Sequence, residues 1–308
     1  MANKIGSLEV SVAGIGCNNF GMRIDEDRSR EVVDAAIDAG VTHFDTADLY
    51  GGGKSEEFLG RALGPRRDQV VITTKFGMRP PPDGLAPGSP EWVARAIDES
   101  LQRLGTDHVD LYLLHQPDPS TPIGDTLEAM SALVDAGKVR EIGGSNFSAA
   151  QLDEMASAAR ERGVRPFVNL QNEYSLVQRD AEAEVIPACM RLGITFVPYF
   201  PLASGLLTGK YKRDEPAPEG SRLAAWGDRA GAFLSDERFD LVERLDEYAR
   251  AHGHTLQELA LSWLATNPAV VSVIAGATSP EQVRSNAAAT TAWPLTDKER
   301  QEVAALLG

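Results

Sequence analysis

The stretch "HFDTADLYGGGKSEEFLG", residues 43–60, joins a short apolar run to a helical pattern through a loop holding an Asp, a Tyr and three glycines. A phosphate-binding loop of the Gly-x-x-x-x-Gly-Lys-Ser/Thr type is the first idea that "GGGKS" raises. Gly53, Lys54 and Ser55 fit its end, but Asp48 stands where its first glycine belongs, so the motif fails. The segment reads instead as strand, turn and helix start. Asp45 then ends a strand, Tyr50 lies in the loop and Gly51 to Gly53 form a flexible turn. Ser55 becomes an N-cap, with Glu56 and Glu57 in the first helical turn, where the helix dipole favours acids.

The same unit recurs along the chain. Short apolar runs rich in Val, Ile or Tyr occupy residues 13–17, 41–45, 69–75, 109–115, 139–145, 167–171, 194–199 and 270–276. Their length and composition suit strands buried on both faces. Amphipathic stretches fill gaps between them, at 28–40, 89–105, 148–163, 181–193 and 255–267, and two more, 279–289 and 296–307, follow the last run. Several stop at a glycine suited to a C-cap, and Pro187 either kinks the 181–193 helix or delays its start. Strands alternating with helices over the whole chain predict a closed parallel (β/α)8 TIM barrel with an extra C-terminal helix. The rival doubly wound sheet calls for Gly-x-Gly-x-x-Gly after its first strand, and "GIGCNN" at 14–19 lacks the third glycine. With no linker or composition shift, residues 1–308 are expected to form one barrel domain. Two connections are long: 76–90, with five prolines, after the third strand, and 203–231 after the seventh. Both leave strand C-termini, the face on which barrel enzymes place their sites.

Composition narrows the partners. A net charge of −15 argues against nucleic acid or an anionic membrane surface, both of which need a basic face. Neither a signal-like apolar run nor a membrane-length segment is present, and Cys17 and Cys189 lie in no metal or redox spacing, so a cytoplasmic protein with reduced thiols is expected. His252 and His254 have no third ligand near in sequence, and no metal site is assigned. The partner expected is a small molecule; oligomeric state is not legible in the sequence.

Four ionisable groups crown three neighbouring strands: Asp45 with Tyr50, Lys75 and His115. A phenol has an ordinary pKa of about 10, and an ammonium beside it makes it a better acid. A carboxylate keeps that ammonium charged, and an imidazole can hydrogen-bond a substrate oxygen. Such a set can protonate an alkoxide as hydride reaches a carbonyl carbon.

The segments "DTADLYGGGKSEEFLG", "ITTKFG", "LYLLHQPDP", "EIGGSNFS", "NLQNEYS" and "PYFPLASGLLTGKY" resemble, in order, the signatures of the aldo-keto reductase superfamily, with similarity from about residue 5 to 290. The resemblance implies an NAD(P)H-dependent oxidoreductase acting between an aldehyde, ketone or sugar and the corresponding alcohol. Tyr50 would be the general acid/base, Asp45 and Lys75 its supporting pair, and His115 would orient the carbonyl. Ser145, Asn146 and Gln171 match the family's positions for the nicotinamide amide, and Tyr199 the aromatic residue stacked on that ring. Phe200, Pro201, Leu202, Ser204, Gly205 and Lys210 resemble the pyrophosphate loop. Lys212, Arg213 and Arg222 lie nearby as a basic island. Gly276, Thr278, Gln282 and Asn286 match the adenosine-phosphate segment, where Ala277 to Ser279 carry no cation; Arg284 or Arg222 would supply the charge. NADP(H) is the preferred cofactor and NAD(H) the alternative. Phe20, Met22, Met78, Phe147 and Trp226 lie near the rim as candidate pocket walls. Two other readings remain: a cofactor-sensing regulatory subunit of the same family, and a Schiff-base lyase with Lys75 as nucleophile.

Overall fold

In the computed structural model, which describes residues 3–224 and 234–307, a short antiparallel hairpin precedes an eight-stranded parallel sheet. The hairpin is β1 (Asn3–Ile5) and β2 (Leu8–Val10). The sheet strands are β3 (Ala13–Gly16), β4 (His43–Asp45), β5 (Val71–Phe76), β6 (Val109–Leu114), β7 (Val139–Ser145), β8 (Asn169–Glu173), β9 (Thr195–Tyr199) and β10 (Val273–Gly276). They pair in chain order, and β10 returns beside β3. A parallel bridge from Phe196 to Val270 brings β9 against the approach to β10 and nearly closes the barrel. All eight sheet strands fall within or overlap the segments expected from sequence.

The helices are α1 (Glu26–Asp38), α2 (Lys54–Leu63), α3 (Pro90–Leu104), α4 (Ile123–Asp135), α5 (Ala149–Arg162), α6 (Val185–Leu192), α7 (Asp236–Ala251), α8 (Leu256–Ala265), α9 (Pro280–Thr291) and α10 (Asp297–Leu307). Capping chemistry sets several boundaries. Ser89, Ser148 and Thr255 each accept from a backbone N–H of the first turn, the last two in reciprocal capping boxes. Pro187 sits in the first turn of α6, where its missing N–H costs nothing, so the helix starts later than the amphipathic pattern.

Strand alternation divides the core into two layers. Ile72 and Phe76 of β5 and Tyr112 and Leu114 of β6 face outward, packing with the helices in the larger cluster. Val71, Leu111, Leu113, Val197 and Ile274 face inward and form a smaller cluster with Ile5, Leu8 and Val10. The hairpin therefore plugs the end of the barrel opposite the strand C-termini, leaving the other mouth open for polar groups. Its three-residue strands are too short for a periodic signal, and the sequence reading missed them.

The turn after β4 corrects a second expectation. Helix α2 begins at Lys54, with Gly53 rather than Ser55 as its cap. Ser55 is buried, donating to the Cys17 carbonyl at 2.8 Å and paired with the Thr46 hydroxyl at 2.8 Å. Glu56 is wholly buried, accepting from Thr74 and from Arg103 of α3, each at 2.6 Å. The segment is thus bolted to the barrel by the side chains of Ser55 and Glu56, whose burial the helix-start pattern does not reveal.

Candidate active site

Period-two alternation carries the ionisable groups to the open mouth. Asp45 shares an inward face with His43, Lys75 with Val71 and Thr73, and His115 continues the face of Leu111 and Leu113. Tyr50 arrives from the loop. Its chain is tied down by Thr46 N–H to the Thr73 carbonyl at 2.8 Å and Asp48 N–H to the Lys75 carbonyl at 3.1 Å. Gly51, Gly52 and Gly53 then take left-handed φ values of 60°, 66° and 95°, turning the chain back into α2. A Cβ on Gly51 would stand 2.7 Å from the Phe20 carbonyl, so this glycine is a spatial as well as a conformational requirement.

The structure brings all four groups together. Lys75 Nζ, fully buried, donates to Asp45 Oδ2 at 2.7 Å and to the Thr46 carbonyl at 2.8 Å. Gln171 Nε2 donates to the other Asp45 oxygen at 2.8 Å. The Lys75 ammonium lies 5.1 Å from the Tyr50 ring centroid, and the Tyr50 and His115 rings meet edge to face at 5.9 Å. Burial pushes the Tyr50 phenol above its ordinary range, and Lys75 pulls the other way by charge and hydrogen bonding. For Lys75 burial favours the neutral amine, but Asp45 and Tyr50 outweigh it and hold the ammonium above its ordinary value. An amine held protonated in this way is a poor nucleophile, which weighs against Schiff-base chemistry. Burial, with Lys75 adding to it, lowers His115 to about 3, so its imidazole is neutral at any ordinary pH.

The remaining candidates line two adjoining cavities. The inner one, of about 310 Å³, is walled by Asp45, Tyr50, His115, Ser145, Asn146, Gln171 and Tyr199 with Asn18 and Met78. The outer, of about 390 Å³, takes Leu202, Ser204, Gly205, Lys210, Thr278, Gln282 and Asn286. Phe200, Pro201, Arg222 and Gly276 border both, making one continuous cleft. Gly205 leaves room for Lys210, whose amine would otherwise stand 2.5 Å from a Cβ. Arg222 lies over the Phe200 ring at 5.3 Å, and among the described residues its hydrogen-bond partners are the amide oxygens of Asn18 and Asn19. Its pKa is lowered by burial and by the neighbouring charge of Arg23. A half-buried guanidinium beside a second one, in an acidic chain, is a setting for an anionic ligand. The lining suits a dinucleotide: cations gather in the outer cavity, and the flat ring of Tyr199 lines the inner one with Tyr50.

Several expectations are corrected. Phe20 and Phe147 are buried in the helix-facing core, Phe147 edge to face on Phe167, and neither lines either of these two cavities. Met78 does line the inner cavity, whereas Trp226 lies outside the described residues. Met22 is exposed and lines neither. Arg213 is engaged by Asp236, Asp240 and Glu243 at the start of α7, so it pins the long loop rather than facing the cleft. Arg284 pairs with Glu281 at 3.6 Å and is not among the residues lining the outer cavity. Sequence reading missed Asn18, Asn19, Arg23 and Gln257, which line the cleft from the loop after β3 and from α8.

Comparison with known proteins agrees with this geometry. The model of the aldo/keto reductase family matches residues 13–307. A probable voltage-gated potassium channel subunit beta of Oryza sativa subsp. japonica is 37% identical over 289 residues, covering 91% of this chain and 87% of the relative. Aldo-keto reductase YhdN of Bacillus subtilis (strain 168) is 34% identical over 308 residues, covering 97% and 91%. L-glyceraldehyde 3-phosphate reductase of Escherichia coli (strain K12) is 32% identical over 299 residues, covering 93% and 85%. Among solved structures, the glycerol dehydrogenase AKR11B4 from Gluconobacter oxydans superposes with a TM-score of 0.85 at 27% identity, covering 99% of this chain and 94% of that one. Eight strands in this order, the mouth they surround and matches along nearly the whole length lead to one conclusion: the chain belongs to the aldo/keto reductase family.

Proposed function

We propose that the protein reduces an aldehyde, ketone or sugar carbonyl, or oxidises the alcohol, with Tyr50 as general acid/base and NADP(H) as preferred cofactor. The observation that carries this reading is the buried Lys75–Asp45 pair at 2.7 Å beneath the Tyr50 ring. The bound nicotinamide would supply or accept the hydride. Ser145, Asn146 and Gln171 would hold its amide, Tyr199 would lie against its ring, and Lys210 and Arg222 would meet its phosphates. In reduction, Tyr50 gives its proton to the developing alkoxide, and the Lys75 charge stabilises the phenolate left behind. Neutral His115 orients the carbonyl by a hydrogen bond and changes no charge. Asp45 keeps Lys75 protonated throughout.

A panel of aldehydes, ketones and sugars, followed by absorbance of the reduced cofactor, tests the reading. Turnover of at least one carbonyl is expected; none, with cofactor bound, would favour a cofactor-sensing subunit, a reading that the similarity to potassium channel β subunits keeps in view. Tryptophan quenching by NADPH and NADH tests cofactor choice: tighter binding of NADPH is expected, and equal affinities would contradict the preference.

A further inference from the structure

Asn146 is engaged within the protein on nearly every side. Its Oδ1 accepts from the Tyr199 hydroxyl at 2.7 Å. Its Nδ2 donates to the His115 carbonyl at 2.9 Å and to Ser145 Oγ at 3.0 Å. An amide has two N–H donors and two oxygen lone pairs, so a single lone pair is left for any ligand. The backbone is equally fixed. The Asn146 N–H meets the Gln171 carbonyl at 3.1 Å and Asn172 Oδ1 at 2.7 Å, and its φ of 63° lies in the left-handed region that Asn tolerates better than other side chains. A residue tied at this many points is a rigid part rather than an adaptable ligand group.

The two ends of this chain of hydrogen bonds are the informative part. Tyr199 is the flat ring of the inner cavity, and His115 faces Tyr50 edge to face. We propose that the Tyr199 hydroxyl and Asn146 are positioning residues, a hydrogen-bonded spacer that sets the separation between the Tyr199 ring and the His115 imidazole. It would thereby set the separation between the nicotinamide laid on the one and the carbonyl oriented by the other. The proposal rests on the reading of the site given above. It assigns the tyrosine hydroxyl a task that stacking alone does not need, since a phenylalanine would stack as well.

Tyr199→Phe tests it with two readouts. In the cofactor-free protein the His115 imidazole resonance should move while that of His43, buried elsewhere in the barrel, stays. With the cofactor, affinity should remain within about threefold, while kcat falls about tenfold or more, because small misplacements of reacting groups are costly. The primary isotope effect on kcat, measured with reduced cofactor deuterated at its transferred hydrogen, should rise. Asn146→Asp keeps an acceptor for Tyr199 but cannot donate to the His115 carbonyl; its His115 resonance and isotope effect should shift as in Tyr199→Phe, while its cofactor affinity, which this amide also serves, falls. A wild-type isotope effect in both variants overturns the proposal, whatever happens to their melting temperatures. If wild-type protein turns over no carbonyl, the reading of the site fails and the His115 resonance decides the spacer alone: an unmoved resonance overturns it.

Discussion

At the scale of single residues, the site depends on which charges are forced to be present. Lys75 is held as an ammonium by Asp45 at a buried position, so neither partner can be removed alone without leaving a buried, unpaired charge. Lys75→Met should cost about 3–5 kcal/mol of stability, read from denaturant unfolding, since Asp45 would keep Gln171 but lose its cation. It should also abolish most turnover, because the phenol loses the cation that opposes the rise burial imposes on its pKa; near wild-type kcat would contradict that role. His115 makes a different prediction. With its pKa lowered to about 3, kcat should show no limb from imidazole titration between about pH 5 and pH 9. A limb near the ordinary histidine value that disappears in His115→Gln would contradict the neutral-imidazole assignment.

At the scale of elements, the turn from β4 to α2 decides where Tyr50 stands. Gly51→Ala meets both a left-handed φ and the Phe20 carbonyl, whereas Gly52→Ala meets only the φ, with open space around its Cβ. Gly52→Ala should therefore cost about 1 kcal/mol and spare turnover, while Gly51→Ala should cost more and lower kcat. Equal effects would mean that the turn does not aim the phenol. Behind this turn Asp48 is buried, and among the described residues no side chain donates to either carboxylate oxygen. Burial first, then the charge of Glu56, raises its pKa from 3.8 to about 7, against the pull of Arg103 and Arg79. The fold binds this proton more tightly than the unfolded chain does, so stability falls as pH rises from about 4 to about 7 and then levels. Asp48→Asn should remove that loss, raising stability above pH 7 by as much as about 4 kcal/mol and by less at about pH 5. A gain independent of pH would contradict the assignment.

How much of this was legible depended on whether the signal was local. The strand ends that carry Asp45, Lys75 and His115 stood out because buried parallel strands are apolar runs and the polar residue closing each is conspicuous. Glu56 stands in the first turn of α2 as the pattern indicated, but its burial was not legible, because its partner Arg103 lies 47 residues away and no helix-start pattern reveals such a neighbour. Phe20 and Phe147 were placed near the mouth correctly as chain positions, but loop sequence does not say which way an aromatic side chain turns. Asn18, Asn19 and Arg23 have no motif of their own and acquire meaning only when Arg222, some 200 residues later, folds over them.

At the scale of the whole molecule, an acidic protein concentrates cations in one cleft. Among the described residues Arg23, Lys210 and Arg222 line the outer cavity, in a chain of net charge −15. Affinity for a reduced dinucleotide should fall as salt is raised from about 0.02 M to about 0.5 M, because screening weakens these contacts. A salt-independent affinity would place the phosphates elsewhere. Arg213, bound to the start of α7, should matter to the anchoring of the long loop rather than to this salt dependence. The most direct test of the account is a single turnover of Tyr50→Phe, with cofactor affinity measured on the same preparation. The account predicts reduced-cofactor binding close to wild type and a loss of carbonyl reduction of about 100-fold or more, the contribution of a well-placed general acid. Reduction within a few-fold of wild type would contradict it.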